Sequence, residues 1–498
     1  MANLVIRGGR LVDAADHIAA PVDVLVTSDT IAAIGPPGLA APADARVIDA
    51  QGKLLIPGLV NAHTHSHGGL AKGMGDRWTL ELLLNAGPWM TGDRRVEDKY
   101  LSALLSAVEM VRKGCTACYD LFYEFPVPTP AGLDAVARAY SDVGMRAVIA
   151  PMIADRTFYE AIPGLFESIP AELRAEVGRL ALAPWEETLA TIRSALAGWK
   201  FDHEQIALAI GPTIPLHCSD AFMIGCRDLA RECGIGLHMH LAESKVQALA
   251  GIARYGASLT AHLDALGLLG PRFTAAHAIW LDADDIARLA DRGVSVAHNP
   301  GSNMRLGSGL AAVREMAERG VNVGIGTDGA NCSDNLNMFE AMKLASFASK
   351  VQGPDYTRWL ATEEVLTMAT EGSARALGFN QIGRIAPGFK ADIVFLDSAQ
   401  INYLPLNDAT NQIVHAEDGT GVDSVMIGGR LVMDRGRLTT IDTSKLPPMA
   451  EASIARLREV NEARGKLARQ LETVVGTFCR ALASSDHHVQ RYGAQPPC

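Results

Sequence analysis

The 498-residue chain is 48% hydrophobic and 20% charged, with a mean hydropathy of +0.11, which fills a large core and excludes a disordered or fibrous chain. Its formal net charge of −11 offers no general footprint for nucleic acid or an anionic membrane, and eight cysteines are too sparse for a disulfide scaffold. No run of about 18 apolar residues marks a spanning helix, and Met1–Arg7 lacks the apolar core of a signal peptide, so a cytoplasmic protein is expected.

The first fifty residues or so read as short strands. Leu4–Ile6, Arg10–Val12 and Asp23–Val26 carry β-branched residues between Gly-Gly and Asp-His turns. From Leu54 to Met338 short apolar strands alternate with helical stretches. The candidate strands are Leu54–Thr64, Thr116–Phe122, Arg146–Ile153, Ile206–Ile214, Gly236–Leu241, Phe273–Ile279, Val294–Ala297 and Val321–Thr327. Near-continuous apolar strands with helices between them predict a parallel sheet, and eight such units predict a closed (β/α)8 TIM-like barrel. The β texture returns at Ala391–Leu396 and Val422–Ile427, and Gly428-Gly429-Arg430-Leu431-Val432 echoes Gly8-Gly9-Arg10-Leu11-Val12. Both chain ends are therefore expected to form one small β-sandwich. The expected division is residues 1–57 and 385–440 for the sandwich, 58–384 for the barrel and 441–498 for a helical extension. The extension reads as a single helix from Met449 to about Ser485, packed on the barrel or on another subunit, with a mobile tail from Ser484.

The chemistry concentrates at strand ends. His63 and His65 alternate along the first strand and so face one side, at the end where such barrels place catalytic residues. His240 and Glu243 leave the fifth strand together, His277 ends the sixth and Asp328 follows the eighth. A barrel brings these ends together, and three imidazoles with a carboxylate suit a first-row metal with one open position. Other features read as structural. His238 sits one layer deeper than His240, and His67 lies beyond the strand. Cys115-Thr116-Ala117-Cys118 begins a strand without the helix of a redox site. Gly324-Ile325-Gly326 lacks the last glycine of a nucleotide loop. Arg94, Arg95 and Lys99 read as a solvated helix face, and His487 and His488 as isolated.

Asn61-Ala62-His63-Thr64-His65, His240-Leu241-Ala242-Glu243, His277, His298-Asn299-Pro300-Gly301-Ser302-Asn303 and Thr327-Asp328-Gly329 together resemble the amidohydrolase superfamily. They are most similar to its metal-dependent aminohydrolases, which include adenosylhomocysteine/methylthioadenosine deaminase, guanine deaminase and the s-triazine hydrolases. The resemblance covers roughly residues 1–440. It implies that His63, His65, His240 and Asp328 hold one divalent metal, Zn2+ before Fe2+, that Glu243 shuttles protons, and that His277 polarises substrate or water. The fourth strand has no lysine to bridge a second metal. The implied activity is hydrolytic deamination of a purine, pterin, pyrimidine or triazine ring. The alternatives are dechlorination or alkylamine removal from a triazine-like ring, and amide, urea or carbamate hydrolysis. The expected partner is a small-molecule substrate, with a homodimer or homotetramer as the assembly.

For substrate contacts the loop Gly68–Gly92 should cover the mouth, with Trp78, Trp89 and Met90 as pocket walls. Thr213 and His298 are further candidate contacts. Adenosine-type relatives carry a ribose-gripping glutamate where Met90 stands and a histidine where Thr213 stands. A buried unpaired hydroxyl costs about 1–3 kcal/mol, so a nucleoside such as adenosylhomocysteine is disfavoured on these two positions.

Overall fold

The computed structural model describes residues 3–493. Eight parallel units curl into a barrel. Its strands are Leu59–Thr64, Cys115–Tyr123, Arg146–Ile153, the interrupted pair Ile206–Leu208 and Gly211–Pro212, Leu237–Leu241, Phe273–His277, Ser295–His298 and Asn322–Ile325. Neighbours pair in chain order, and a parallel bridge from Ile210 to Leu237 joins the fourth to the fifth. The eighth strand returns to the first. The Asp328 amide donates to the His63 carbonyl at 2.9 Å, and Asn61 Nδ2 donates to Thr327 Oγ1 at 2.7 Å. Gly326 permits this closure, because a Cβ there would lie 2.9 Å from the His63 backbone. The glycine pair of the eighth strand is thus a packing feature, as expected.

The predicted strand Leu54–Thr64 divides at Gly58. Lys53–Pro57 runs antiparallel to Ile393–Asp397 and parallel to Asn3–Asp13, while Leu59–Thr64 enters the barrel. Leu4–Ile6 and Arg10–Val12 are one strand, Asn3–Asp13, bent by a register shift between Ile6 and Gly9. Strands from both chain ends form one nine-stranded mixed sheet. Its side chains alternate as a pleat requires. Leu54, Ile56, Val394 and Leu396 join the main core, while Leu55, Ile393 and Phe395 enclose a second core with Ile6, Val24 and Met426. Arg146, at the start of the third barrel strand, clasps Asp392 at 2.8 and 3.2 Å, and both are buried. That pair locks the sheet to the barrel.

The C-terminal extension departs from expectation. It is two helices, Leu446–Val460 and Glu462–Ala483, broken at Asn461, whose Nδ2 donates to the Gly92 carbonyl at 2.8 Å. Leu467, Leu471, Val475 and Cys479 pack on Phe158, Ile162, Leu165 and Ile169 of the same chain, so the apolar stripe is spent internally. The expected mobile tail is docked as far as it is described. Arg491 Nε donates to the Ile279 carbonyl at 3.0 Å, Tyr492 packs edge-on to Trp280, and His488 pairs with Asp282 at 3.0 Å. His488 is therefore not isolated, and residues 494–498 of the expected tail lie outside the described residues. Among the described residues no helix is long and apolar enough to cross a membrane.

Removing one partner of a buried ion pair strands the other charge. Asp392→Ala should therefore lower unfolding free energy by about 3–5 kcal/mol in urea titrations; a change within error would mean that Arg146 finds another anion or reaches water.

Candidate active site

The strand ends at the barrel mouth bring together His63, His65, His240, Glu243, His277 and Asp328, all buried. Backbone carbonyls fix two of the imidazoles. His65 Nδ1 donates to Leu121 O and His240 Nδ1 to Thr213 O, each at 2.7 Å. Each neutral ring therefore presents an unprotonated Nε2, and these two nitrogens lie 3.1 Å apart. Two lone pairs at that distance repel unless a cation lies between them. Asp328 Oδ1 stands 3.2 Å from His65 Nε2 and 3.5 Å from His63 Nε2. The Nε2 atoms of His63 and His277 are buried without a hydrogen-bond partner. The donor atoms of His63, His65 and His240 lie within 4.8 Å of one another, as do those of His63, His277 and Asp328. This donor set fits a divalent metal: neutral imidazoles plus one carboxylate, oriented by carbonyls behind them.

For His65 burial is outweighed by the Asp328 carboxylate, which raises the imidazole, whereas burial pushes His63 down to about 3 and holds His240 well below the usual histidine range. His63 and His240 stay neutral, the state that binds metal. Burial alone would raise the Asp328 carboxyl, but the imidazoles of His63 and His65 beside it outweigh burial and hold the group well below the carboxylate range. Ser302 Oγ donates to Asp328 Oδ2 at 2.6 Å, and the Gly329 amide to Oδ1 at 2.7 Å. Glu243 goes the other way. Burial, with Asp328 and Glu81 nearby, raises its carboxyl well above the usual range. Its Oε2 is 3.7 Å from His277 Nε2, and Asn303 Oδ1 accepts from His277 Nδ1 at 2.8 Å. His277 and Asp328 adopt left-handed backbone, with φ of 68° and 62°, a costly conformation for non-glycine residues that clusters at functional sites.

These groups open onto one mostly apolar cavity. Met90 and Thr213 line it, as expected. Trp89 and His298 do not. Trp89 lies on the helix Leu80–Thr91, and its ring turns outward against Gly465 and stacks under Arg469 at 5.4 Å. His298 is buried behind the mouth, and the segment after it acts through Ser302 and Asn303. Trp78 packs on Gly75 instead of lining the cavity. Arg94 is no solvated residue: its guanidinium donates to the carbonyls of His67 and Met90 at 2.5 and 2.9 Å. Lys99 pairs with Glu124, which is buried. His238 stays structural, 3.1 Å from His63 Nδ1. Cys115 and Cys118 are buried and unpaired, and burial pushes the Cys115 thiol up to about 12, which rules out thiolate chemistry. Arg156, which lies near the end of the third strand, lines the cavity too, while reading strand ends alone misses His67, Tyr123, Phe158 and His217, which also line it. The signal was available for Tyr123, which ends the second strand.

Comparison with known proteins identifies the scaffold. A family model described as the amidohydrolase family matches residues 54–432. The chain belongs to the amidohydrolase family. It is 36% identical over 436 residues to a 5'-deoxyadenosine deaminase of Methanothermobacter thermautotrophicus, covering 87% of this chain and 94% of that one. It is 32% identical over 466 residues to a 5-methylthioadenosine/S-adenosylhomocysteine deaminase of Pelotomaculum thermopropionicum, covering 93% and 100%. A solved adenosine deaminase from Xanthomonas campestris with bound zinc superposes with a TM-score of 0.81 at 30% identity, over 92% of this chain and 99% of that one. An atrazine chlorohydrolase from Arthrobacter aurescens, at 24% identity and a TM-score of 0.80 over 91% and 100%, shares the fold. The barrel, the two-ended sheet and the metal-ligand cluster are those of a metal-dependent amidohydrolase.

Ser302 fixes the Asp328 carboxylate through its hydroxyl. Ser302→Ala should weaken metal affinity roughly 10–100-fold, and Asp328→Ala should lower metal content further. Elemental analysis after dialysis against a weak chelator checks both; full occupancy in the Asp328 variant would refute ligation.

Proposed function

We propose that the protein is a zinc-dependent aminohydrolase that removes the exocyclic amino group of a purine base or nucleoside as ammonia. The observation that carries this reading is a buried Glu243, its carboxyl raised well above the usual range by burial and by Asp328 and Glu81, facing the same cavity as the candidate metal cluster. A neutral carboxylic acid is what a ring nitrogen needs as proton donor. The relatives named for purine nucleosides support the substrate class. They also weigh against the narrower reading from Met90 and Thr213. Arg156, Tyr123 and His217 add polar groups to the cavity wall that those two positions do not count.

His63, His65, His240 and Asp328 would hold the ion. When bound, a divalent metal supplies a water whose pKa falls to about 7. Asp328, held ionised beside that position, takes the proton the water loses. Glu243 protonates the ring nitrogen next to the carbon under attack and then takes up the proton of the newly added hydroxyl, while Asp328 passes its proton to the departing amine, so both carboxyl groups end as they began. His277 has its Nδ1 engaged by Asn303, so its Nε2 is an acceptor that orients the incoming water. The net change forms one C–O bond, breaks one C–N bond and releases ammonia. The apolar walls around Leu83, Met90 and Phe158 keep bulk water from the ring.

Glu243→Gln should keep its metal and lose kcat by roughly 10²–10⁴-fold. The parent activity is checked with zinc-loaded protein on adenine, guanine, adenosine, 5'-deoxyadenosine, pterins and chlorotriazines, recording ammonia, chloride and alkylamine separately. Ammonia from the purines supports the reading; chloride or alkylamine release alone, or a Glu243→Gln variant at wild-type kcat, would overturn it.

A further inference from the structure

We propose that His217 is a specificity-determining residue that grips a hydroxyl on the substrate's sugar-like substituent. This rests on the purine reading above and extends it.

His217 lies four residues beyond Thr213, in the turn after the fourth barrel strand, and its side chain lines the active-site cavity. The turn is held from several directions. The His217 carbonyl accepts from the amides of Asp155 and Arg156 at 3.2 and 3.0 Å. Arg254 donates to the Leu216 carbonyl at 2.9 Å and to the Glu160 carbonyl at 3.0 Å, and Tyr255 reaches the Pro215 carbonyl at 3.3 Å. The ring leans on Phe158 at 6.4 Å between centroids. The backbone that carries the ring is thus fixed before any ligand arrives, which lowers the entropy cost of using it.

Its chemistry is unlike that of its neighbours. Its ring neighbour Phe158 is apolar, and Leu180, Leu182 and Ile214 line the same cavity. Burial, reinforced by Arg254, pushes the imidazole down to about 3, so the ring is neutral. A neutral imidazole carries one donor and one acceptor, the complement of a hydroxyl that both gives and takes a hydrogen bond. Among the described residues no protein group hydrogen-bonds either ring nitrogen, so both remain for a ligand. An apolar residue would suit a purely apolar substituent without leaving polar atoms to satisfy. Met90 and His217 line the same cavity from different elements, and of the two only His217 offers a polar group.

The test compares adenosine with 9-ethyladenine, which keeps the ring and lacks every hydroxyl. Binding is measured by calorimetry on zinc-loaded protein carrying Glu243→Gln, and turnover by ammonia release from protein with Glu243 intact. His217→Phe should weaken adenosine binding by about tenfold and leave 9-ethyladenine within about twofold. In the intact enzyme KM for adenosine should rise while kcat changes little. His217→Asn, which keeps a donor and an acceptor, should restore part of the loss. Metal content and melting temperature report whether each variant folds. Equal weakening toward both ligands, or undiminished preference for adenosine in His217→Phe, overturns the grip, as does failure of adenosine to bind at all. If a His217-dependent preference persists in binding but no ammonia appears, the grip stands and the deaminase reading falls. If ammonia appears and the preference ignores His217, the grip alone falls.

Discussion

Two imidazole nitrogens held 3.1 Å apart in a buried pocket set the terms for the rest of this molecule. His65 and His240 are locked by the carbonyls of Leu121 and Thr213, and neither can turn away without leaving a buried donor unpaired. His63 and Asp328 close the same space from the first strand and from the end of the eighth. Without a cation the arrangement is repulsive; with one it is a ligand set. The barrel exists in a form that enforces this meeting. The Asp328 amide bonds to the His63 carbonyl, so the hydrogen bond that closes the barrel also places a ligand from each end of it. The left-handed backbone at His277 and Asp328 shows where the fold carries strain to aim these groups.

The cavity roof depends on a longer chain of contacts. The helix Leu80–Thr91 supplies Leu83 and Met90 to the wall and is gripped from behind. Asn85 donates to the Ala468 carbonyl at 2.9 Å and accepts from the Tyr159 hydroxyl at 3.0 Å. Trp89 fits against Gly465, and Asn461 holds Gly92. The helix Glu462–Ala483 therefore joins two walls of the cavity, the roof helix and the segment around Phe158 and Tyr159. Arg491 extends the same logic to the loop after His277, whose carbonyls at Ile279 and Leu281 it binds. Residues far from the catalytic cluster in sequence thus set how rigid the cavity is, since packed elements move together or not at all.

The catalytic half of the site was legible from sequence for a physical reason. A polar residue at the C-terminal end of an otherwise apolar strand has few places to go except the barrel mouth, so His63, His65, His240, His277 and Asp328 declared themselves by position. The strands themselves followed from the same contrast, apart from the break at Gly58, where an apolar run passes without a change of composition from one sheet to another. The cavity walls were less legible. Trp89 and Met90 are adjacent, yet helical geometry sends one to the C-terminal helix and the other to the cavity, and no local pattern says which. His298 ends a strand like the ligands do, but Ser302 and Asn303 take over its reach. Arg94 looked like a surface charge because its acceptors are backbone carbonyls, which leave no trace in sequence. The tail from Ser484 reads as polar and loose, yet its guanidinium and ring find docking points that exist only once the barrel has formed.

That division between legible chemistry and illegible walls follows from what each part must do. The ligand set is dictated by one small ion and one water, which demand the same few atoms whatever the substrate. The walls answer to the substrate's outline, and many side chains from many elements can satisfy an outline. Here they come from the ends of several strands, the roof helix, the helices after the third strand and the turn after the fourth, segments that share no motif. Only polar groups stand out on such a surface, because each must find a partner or stay wet. Arg156, Thr213 and His217 line the cavity together with apolar residues such as Leu83, Met90 and Phe158. Under the reading proposed above, selection among substrates would rest on what each substituent offers to these few polar groups.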